Sequence, residues 1–223
     1  MLDSAGLTSG FPHLYYSGLF RKKLVLVMER VGYPLQDLVK KKGQVGMRTA
    51  AHIFIQVLSR LRDLHSIGII HADLNIKNIM IDEGPSGRDY RQVRLIDFGI
   101  SVSYLQDGCH VQNRTTGEVR GHVLYASVHA HEKAALSRRD DLEQLAYVFV
   151  KMVHGALPWE RMLLGNGEGA WKNVGKKKRE WSKGRLWHGL PTAVKECMQY
   201  IFSLRFEESP DYRWIQQQMR KLM

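Results

Sequence analysis

The pattern of apolar and polar positions predicts a short β-rich start followed by a mostly helical chain. Residues 14–17 and 24–29 predict two strands of a small sheet, and residues 35–42 predict a short helix. Apolar residues recur at helical spacing over residues 49–66, which indicates a buried helix. Residues 140–153 are apolar on most sides, as is typical of a helix in the middle of a domain.

Two polar motifs flank a predicted β-hairpin between those helices. Residues 78–81 and 93–96 predict short strands around a polar turn at 82–92. The motif HADLNIKN occupies residues 71–78, just before the first strand, and DFG occupies residues 97–99, at the end of the second. We therefore expect the two motifs to lie close together in space.

These motifs contain the side chains that phosphoryl transfer requires. Transfer from magnesium-bound ATP needs an acceptor for the substrate hydroxyl proton and oxygen ligands for the metal. Asp73 suits the role of base, and Asn78 and Asp97 suit the role of Mg²⁺ ligands. Either motif alone also fits an ordinary strand end before a turn. Their combination at this spacing indicates an ATP-dependent phosphotransferase.

Further segments give the chain a family resemblance. It resembles the C-terminal two thirds of a protein kinase, and in detail the casein kinase 1 group, which includes the vaccinia-related and tau-tubulin kinases. Besides the two motifs, the resemblance rests on GHVLYAS at residues 121–127, SRRDDLE at 137–143, GALPW at 155–159, SLRF at 203–206 and PDY at 210–212. It covers residues 11–223.

The resemblance implies an α+β, protein-kinase-like fold. We expect one domain over residues 1–223, with a remnant of the N-lobe β-sheet and the hinge in residues 1–31 and a mostly α-helical C-lobe in residues 32–223. A length of 223 residues with 44% hydrophobic residues is enough for one domain with a sizeable core.

The resemblance also assigns an adenine site. Met28 takes the gatekeeper position at the end of the second strand, and the backbone of Glu29 and Val31 would pair with adenine. Met80 and Ile96 would pack on the faces of the ring. Judged from the residues alone, these methionine and isoleucine side chains are better explained as ordinary core positions, and only the resemblance favours the adenine site.

Four further positions concern the support of the catalytic loop and the recognition of substrates. The resemblance implies that Asp141 holds the backbone of the catalytic loop. Lys77 either contacts the transferred phosphoryl group or is a solvent-facing surface lysine. His122 and Leu124 replace a threonine that hydrogen-bonds the catalytic aspartate and an arginine that binds acidic substrate groups, so we expect altered substrate recognition.

The N-lobe segments with which a kinase holds the phosphates of ATP are absent from the sequence. It has no GxGxxG loop, no strand lysine in a VAIK setting and no helix glutamate to pair with that lysine. A gene-model fragment, an exon-skipped form and a degenerate kinase all fit this pattern, as do strands supplied by another chain. The predicted function is a serine/threonine protein kinase using ATP and Mg²⁺, and the alternative is a pseudokinase that acts as a binding or scaffolding module.

The charge of the chain is strongly positive, with a net charge of +11 and a pI of 9.7. Much of the excess lies in residues 172–185, centred on the run from Lys176 to Arg179. Three interpretations remain open: a solvated basic loop, a nuclear-import or nucleic-acid patch, and an anion pocket for acidic peptide substrates. No motif of a nucleic-acid-binding fold is present, so we do not expect specific nucleic-acid recognition.

The remaining composition points to an intracellular protein. Cys109 and Cys197 make no disulfide framework, which favours a reducing compartment. No signal-peptide pattern and no long apolar segment occur, so we expect no membrane span. We expect a nuclear or cytoplasmic monomer that acts on protein substrates, acidic ones among them.

Overall fold

The smaller part of the molecule is a β-hairpin with exposed apolar faces. The computed structural model describes residue 6 and residues 9–83, 90–164 and 168–223. Strands β1 (Leu14–Phe20) and β2 (Lys23–Met28) pair antiparallel, with Leu19 opposite Leu24. These two leucines are each 73% exposed. The predicted strands are confirmed, and no larger sheet covers them in the described part of the chain.

The larger part is helical. Its helices are α1 (Leu35–Lys42), α2 (Met47–Ser66), α3 (Val128–His131), α4 (Arg138–His154), α5 (Glu168–Trp181), α6 (Thr192–Ser203) and α7 (Tyr212–Arg220). Short 3-10 turns occur at Glu160–Leu164 and Arg185–Trp187. The helices predicted from the apolar pattern are confirmed.

Helix α4 forms the centre of the core. Its residues 140–150 are all buried, which explains why the sequence shows no polar face there. Phe149 of α4 meets Phe54 of α2 edge-to-face, with ring centroids 5.7 Å apart. At the start of α4, Asp140 accepts the backbone N–H of Ser137 at 2.7 Å, and the helix ends at Gly155 with φ 72°. Helix α4 is therefore a fixed support for the loops around it.

A small antiparallel sheet carries the two polar motifs at its edge. Strands β3 (Tyr33–Pro34), β5 (Ile79–Glu83) and β6 (Tyr90–Leu95) lie in the order β3-β5-β6. Two shorter pairs follow: β4 (Ile69–Ile70) with β7 (Val102–Ser103), and β8 (Leu105–Gln106) with β9 (Cys109–His110).

The prediction of a polar turn over residues 82–92 is wrong at both ends, because residues 82–83 belong to β5 and residues 90–92 belong to β6. Asp82 pairs with Gln92 in the β5–β6 ladder, and Asp82 Oδ2 accepts a hydrogen bond from Arg94 Nε at 2.7 Å. Cross-strand pairing therefore extends the strands into a polar stretch that alternation alone did not reveal. Residues 84–89 of the predicted turn lie outside the described residues.

Together these elements make an α+β fold, as predicted. A mostly helical lobe is joined to a reduced β lobe. Among the helices described, none is long and apolar enough to cross a membrane.

Candidate active site

The loop that carries the HADLNIKN motif is held from below by α4. The carboxylate of Asp141 accepts the backbone N–H of His71 at 2.7 Å and that of Ala72 at 2.8 Å. It also contacts Nε2 of His65 at 2.9 Å. Burial raises the pKa of Asp141, but the hydrogen bonds and charges of His65 and His71 together outweigh burial and bring the pKa below its usual value. The supporting role expected of Asp141 is confirmed.

Gln144 adds a second support that sequence reasoning missed. It lies one turn after Asp141 on α4, so both side chains face the loop. Its Oε1 accepts the backbone N–H of Leu74 at 2.7 Å, and its Nε2 donates to the carbonyl of Ala72 at 3.0 Å. The backbone on both sides of Asp73 is thereby fixed.

The carboxylate of Asp73 is oriented from two sides. Oδ1 accepts the backbone N–H of His122 at 2.8 Å, and Oδ2 accepts from Nδ2 of Asn78 at 3.2 Å. The amide of Asn78 also donates to the carbonyl of Asp73 at 2.9 Å. The backbone of His122 thus makes the contact that the resemblance assigns to a threonine side chain.

The two predicted metal ligands come together at the end of the β5–β6 ladder. The backbone N–H of Ile96 donates to the carbonyl of Asn78 at 3.0 Å, which places Asp97 beside Asn78. Asp97 is exposed, and its carboxylate accepts one hydrogen bond among the described residues, from the N–H of Gly99 at 3.3 Å. No described donor contacts Oδ1 of Asn78. The free oxygens of Asn78 and Asp97 fit the ligand preference of Mg²⁺.

Two residues next to this chemistry adopt a left-handed backbone. Ala72 and Asp97 both have φ 65°. Such a conformation costs a non-glycine residue about 1–3 kcal/mol and persists where surrounding contacts enforce it. For Ala72 those contacts are the hydrogen bonds from α4, so the packing of α4 maintains the shape of the loop.

The predicted adenine site has free backbone groups beside apolar side chains. Met28 is the last residue of β2 and is 46% exposed. Among the described residues, the carbonyl of Glu29 and the N–H of Val31 have no hydrogen-bond partner, although the N–H of Glu29 donates to His13. Met80 and Ile96, which are predicted to pack on the faces of adenine, are both half-buried. This arrangement can accept a planar, hydrogen-bonding base.

Arg94 ties this hinge to the sheet and was not identified from the sequence. Its Nη1 donates to Glu29 Oε2 at 2.6 Å, and its Nε donates to Asp82 Oδ2 at 2.7 Å. Asp82 also accepts the backbone N–H of Gly32 at 2.8 Å. The signal that could have revealed Arg94 is its position opposite Met80 in the ladder, which only the correct strand register provides.

A cavity of about 420 Å³ opens beside the catalytic loop. Lys77, His122 and Tyr125 are among its lining residues. Lys77 is exposed, and burial together with the charge of Lys77 lowers the pKa of His122 below its usual value. The carboxylate of Asp73 lies next to this cavity, because it accepts the N–H of the lining residue His122.

The basic run is a helix, so its interpretation as a solvated basic loop is wrong. Residues 176–179 lie within α5, and Lys178 is fully buried. Nζ of Lys178 donates to the carbonyl of Val123 at 3.0 Å and to that of Ala126 at 2.5 Å. Burial lowers the pKa of Lys178 well below its usual value, while the charge of Glu143 acts in the opposite direction. The four residues therefore do not form one continuous basic surface.

The fold and these contacts define a protein kinase domain. The family model described as "Protein kinase domain" matches residues 12–209. The chain belongs to this family.

Within the family, the chain is similar to casein kinase I homologues, which confirms the resemblance seen in the sequence. It is 31% identical over 212 residues to Casein kinase I homolog 2 of Schizosaccharomyces pombe, covering 94% of this chain and 48% of the relative. It is 32% identical over 208 residues to Casein kinase I homolog RAG8 of Kluyveromyces lactis, covering 92% and 39%. The chain spans about half or less of the length of these relatives.

Proposed function

We propose that this chain is a casein-kinase-1-like serine/threonine protein kinase that transfers the γ-phosphoryl group of ATP to hydroxyl groups of proteins. One observation carries the proposal: the Asp73 carboxylate is held between the backbone of His122 on the peptide side and the amide of Asn78 on the metal side. A base oriented in this way is positioned for a hydroxyl that enters the adjacent cavity.

In this mechanism Asp73 accepts the proton of the serine or threonine hydroxyl. The hydroxyl oxygen forms a bond to the γ-phosphorus as the bond to the β–γ bridging oxygen breaks, and ADP leaves. Lys77, exposed beside His122, supplies a positive charge near the transferred group. Positioning of this kind accounts for most of the rate enhancement in phosphoryl transfer.

The proposed nucleotide site consists of the unpaired backbone groups at the hinge and the side-chain oxygens of the two predicted metal ligands. The carbonyl of Glu29 and the N–H of Val31 would pair with adenine, below the Met28 gatekeeper. Met80 and Ile96 would contact the ring. Asn78 and Asp97 would hold Mg²⁺, which neutralises charge on the phosphates when bound.

A groove supports the proposal of acidic protein substrates, and it lies near the loop at residues 121–127, which we propose as the peptide-binding loop. A cavity of about 670 Å³ is lined by Lys133, Lys172 and Lys176. Among the described residues, these lysines form no ion pair, whereas Arg179 of the same groove pairs with Glu132. Unpaired ammonium groups around one groove attract carboxylates. We expect Lys176→Glu to raise KM for an acidic peptide and to leave KM for a neutral peptide unchanged.

Thermal unfolding with and without Mg²⁺-ATP tests the nucleotide site. A ligand at 100 times its Kd stabilises the native state by about 2.7 kcal/mol. We expect this shift in the wild type and its loss in Asp97→Asn.

Asp107→Asn is a matched control. Asp107 is also exposed and also left-handed, with φ 52°, but it lies in the turn between β8 and β9. It should keep the wild-type response. A wild-type chain that shows no shift with Mg²⁺-ATP would contradict the kinase proposal and favour a scaffolding pseudokinase.

A further inference from the structure

A cluster of potential metal ligands lies behind the peptide-binding loop, away from the predicted Mg²⁺ ligands. His129 belongs to α3, which directly follows the loop at residues 121–127. Asp140 and Glu143 lie three residues apart on the first turns of α4 and therefore share one face. The cluster therefore joins α3 to α4.

The contacts within this cluster have the length of loose ion pairs, which leaves space between the three ligand atoms. Nδ1 of His129 is 3.5 Å from Asp140 Oδ1 and 3.9 Å from Glu143 Oε2. The three ligand atoms lie within 4.8 Å of one another. Zinc–ligand bonds of about 2.0–2.2 Å at the tetrahedral angle place neighbouring ligand atoms about 3.3–3.6 Å apart. The distance from His129 to Asp140 fits this geometry, and Glu143 must move inward by a few tenths of an ångström when the ion binds.

His129 Nδ1 provides a second observation that points to a ligand. The His129 side chain is 32% exposed, but this nitrogen is buried and has no hydrogen-bond partner, so its contacts with the two carboxylates are long ion pairs. Buried polar atoms are normally satisfied, so an unpaired imidazole nitrogen directed at two carboxylates requires an explanation. A metal ion between them supplies one.

Both carboxylates are already oriented by their other contacts. Asp140 accepts the hydroxyl of Ser127 at 2.6 Å as well as the N–H of Ser137. Glu143 Oε1 accepts the N–H of Val128 at 2.7 Å and the hydroxyl of Tyr147 at 2.5 Å. Such outer partners hold metal ligands in place in known sites. Glu143 Oε2 is left facing His129.

The charges around the cluster leave room for a cation. Asp140 is 0% exposed and Glu143 is 5% exposed. In the described part of the chain, neither carboxylate accepts a hydrogen bond from lysine or arginine: Arg139 Nε forms a long ion pair with Asp140 at 3.8 Å, and Lys178 donates to backbone carbonyls. Buried carboxylates are stabilised by pairing or by a metal.

We propose that His129, Asp140 and Glu143 bind a divalent transition metal of the Zn²⁺ class, with water as the fourth ligand. The ion fastens α3 to α4 and so secures the peptide-binding loop from behind. This role is structural and separate from the Mg²⁺ that the proposed kinase reaction uses. One imidazole and two carboxylates form a donor set that zinc accepts.

Zinc titration of the chelator-treated full chain tests this site, with a chromophoric chelator as competitor. We expect the wild type to bind one more zinc ion than His129→Asn. Zinc should raise the melting temperature of the wild type but not that of His129→Asn. His52→Asn removes an exposed imidazole on α2 and should leave the binding unchanged. Co²⁺ in place of Zn²⁺ should give visible d–d absorption in the wild type and lose it in His129→Asn.

Two results would overturn the proposal. One is equal zinc binding by the wild type and His129→Asn. The other is a loss of stability in His129→Asn that is the same with and without zinc, which would identify His129 as the cationic partner of an ordinary ion pair. Asp97→Asn should keep the zinc site, so failure of the kinase proposal and failure of the zinc proposal are distinguishable.

Discussion

The backbone N–H of His71 donates to the buried carboxylate of Asp141 at 2.7 Å, and this contact joins the catalytic loop to the central helix. Because α4 is buried along residues 140–150, the position of Asp141 is fixed by the core. The geometry of Asp73, two residues after His71, therefore depends on the packing of a helix buried in the core.

Replacement of Asp141 by alanine should destabilise the whole domain. It removes the acceptor for two buried N–H groups and the partner of His65. Loss of one partner from a buried charged contact costs about 3–5 kcal/mol. Urea unfolding followed by circular dichroism measures the change.

Glu207→Ala removes an exposed carboxylate and serves as the control for Asp141→Ala. We expect it to change the free energy of unfolding by less than about 0.5 kcal/mol. If the two variants were equally stable, Asp141 would not be the support of the loop.

Lys178→Met should weaken peptide recognition more than nucleotide binding. The methionine keeps the buried volume but leaves the carbonyls of Val123 and Ala126 without their donor. An unsatisfied buried acceptor costs about 1–3 kcal/mol, and here the cost falls on the peptide-binding loop. Steady-state kinetics should show a raised KM for peptide and an unchanged KM for ATP.

The neighbouring Lys177 provides a control with the same chemistry. It lies on the same helix but is partly exposed, and its Nζ is 3.6 Å from Glu180. Lys177→Met should leave both KM values near those of the wild type. Equal effects of the two substitutions would show that α5 acts through its overall charge and not through Lys178.

Acid should destabilise the chain partly through His122. Burial first, and the charge of Lys77 second, lower the pKa of His122. An unfolded histidine takes up a proton below about pH 6.5, whereas folded His122 resists it. Its contribution to stability is therefore complete above about pH 6.5 and falls as the pH drops toward the lowered pKa, by at most about 1.4 kcal/mol per pH unit.

Urea unfolding at about pH 7 and about pH 5 checks this dependence, since a titrating group alters stability only between its two pKa values. The wild type should lose more stability than His122→Asn between the two conditions. Parallel losses in the two proteins would assign the acid sensitivity to other groups.

The exposed hairpin should tolerate a charge. Leu24 is 73% exposed, so Leu24→Lys should change the free energy of unfolding by less than about 0.5 kcal/mol. Leu58→Ala, which truncates a side chain of α2 in the core, should lower the free energy of unfolding by about 2–5 kcal/mol.

Sedimentation velocity should show less self-association for Leu24→Lys, because exposed apolar patches favour association. A large loss of stability in Leu24→Lys would mean that the hairpin packs against other parts of the chain.

The sequence predicted the parts of this molecule that depend on local pattern. The spacing of apolar residues located α2 and α4, and the two short motifs located Asp73, Asn78 and Asp97 at the edge of one sheet. These predictions succeeded because the two motifs stand at the two ends of one β-hairpin, and the pairing of its strands brings those ends together.

The sequence did not reveal contacts made by residues far apart in the chain. Nothing in the KKKR run distinguishes Lys178 from its neighbours, because its burial depends on carbonyls 52 and 55 positions away. Gln144 and Arg94 were missed for the same reason, since their partners lie on other elements. The roles of the nucleotide-site residues remain predictions.

Phosphate transfer from ATP to a serine-containing protein or peptide tests the central claim most directly. The purified chain should incorporate phosphate with Mg²⁺ present, and Asp73→Asn should lose about 10²–10⁴-fold of that activity, the usual contribution of a positioned base. Wild-type incorporation that Asp73→Asn matches, or no incorporation by a folded wild type that binds Mg²⁺-ATP, would contradict the assignment of Asp73 as the base of a protein kinase.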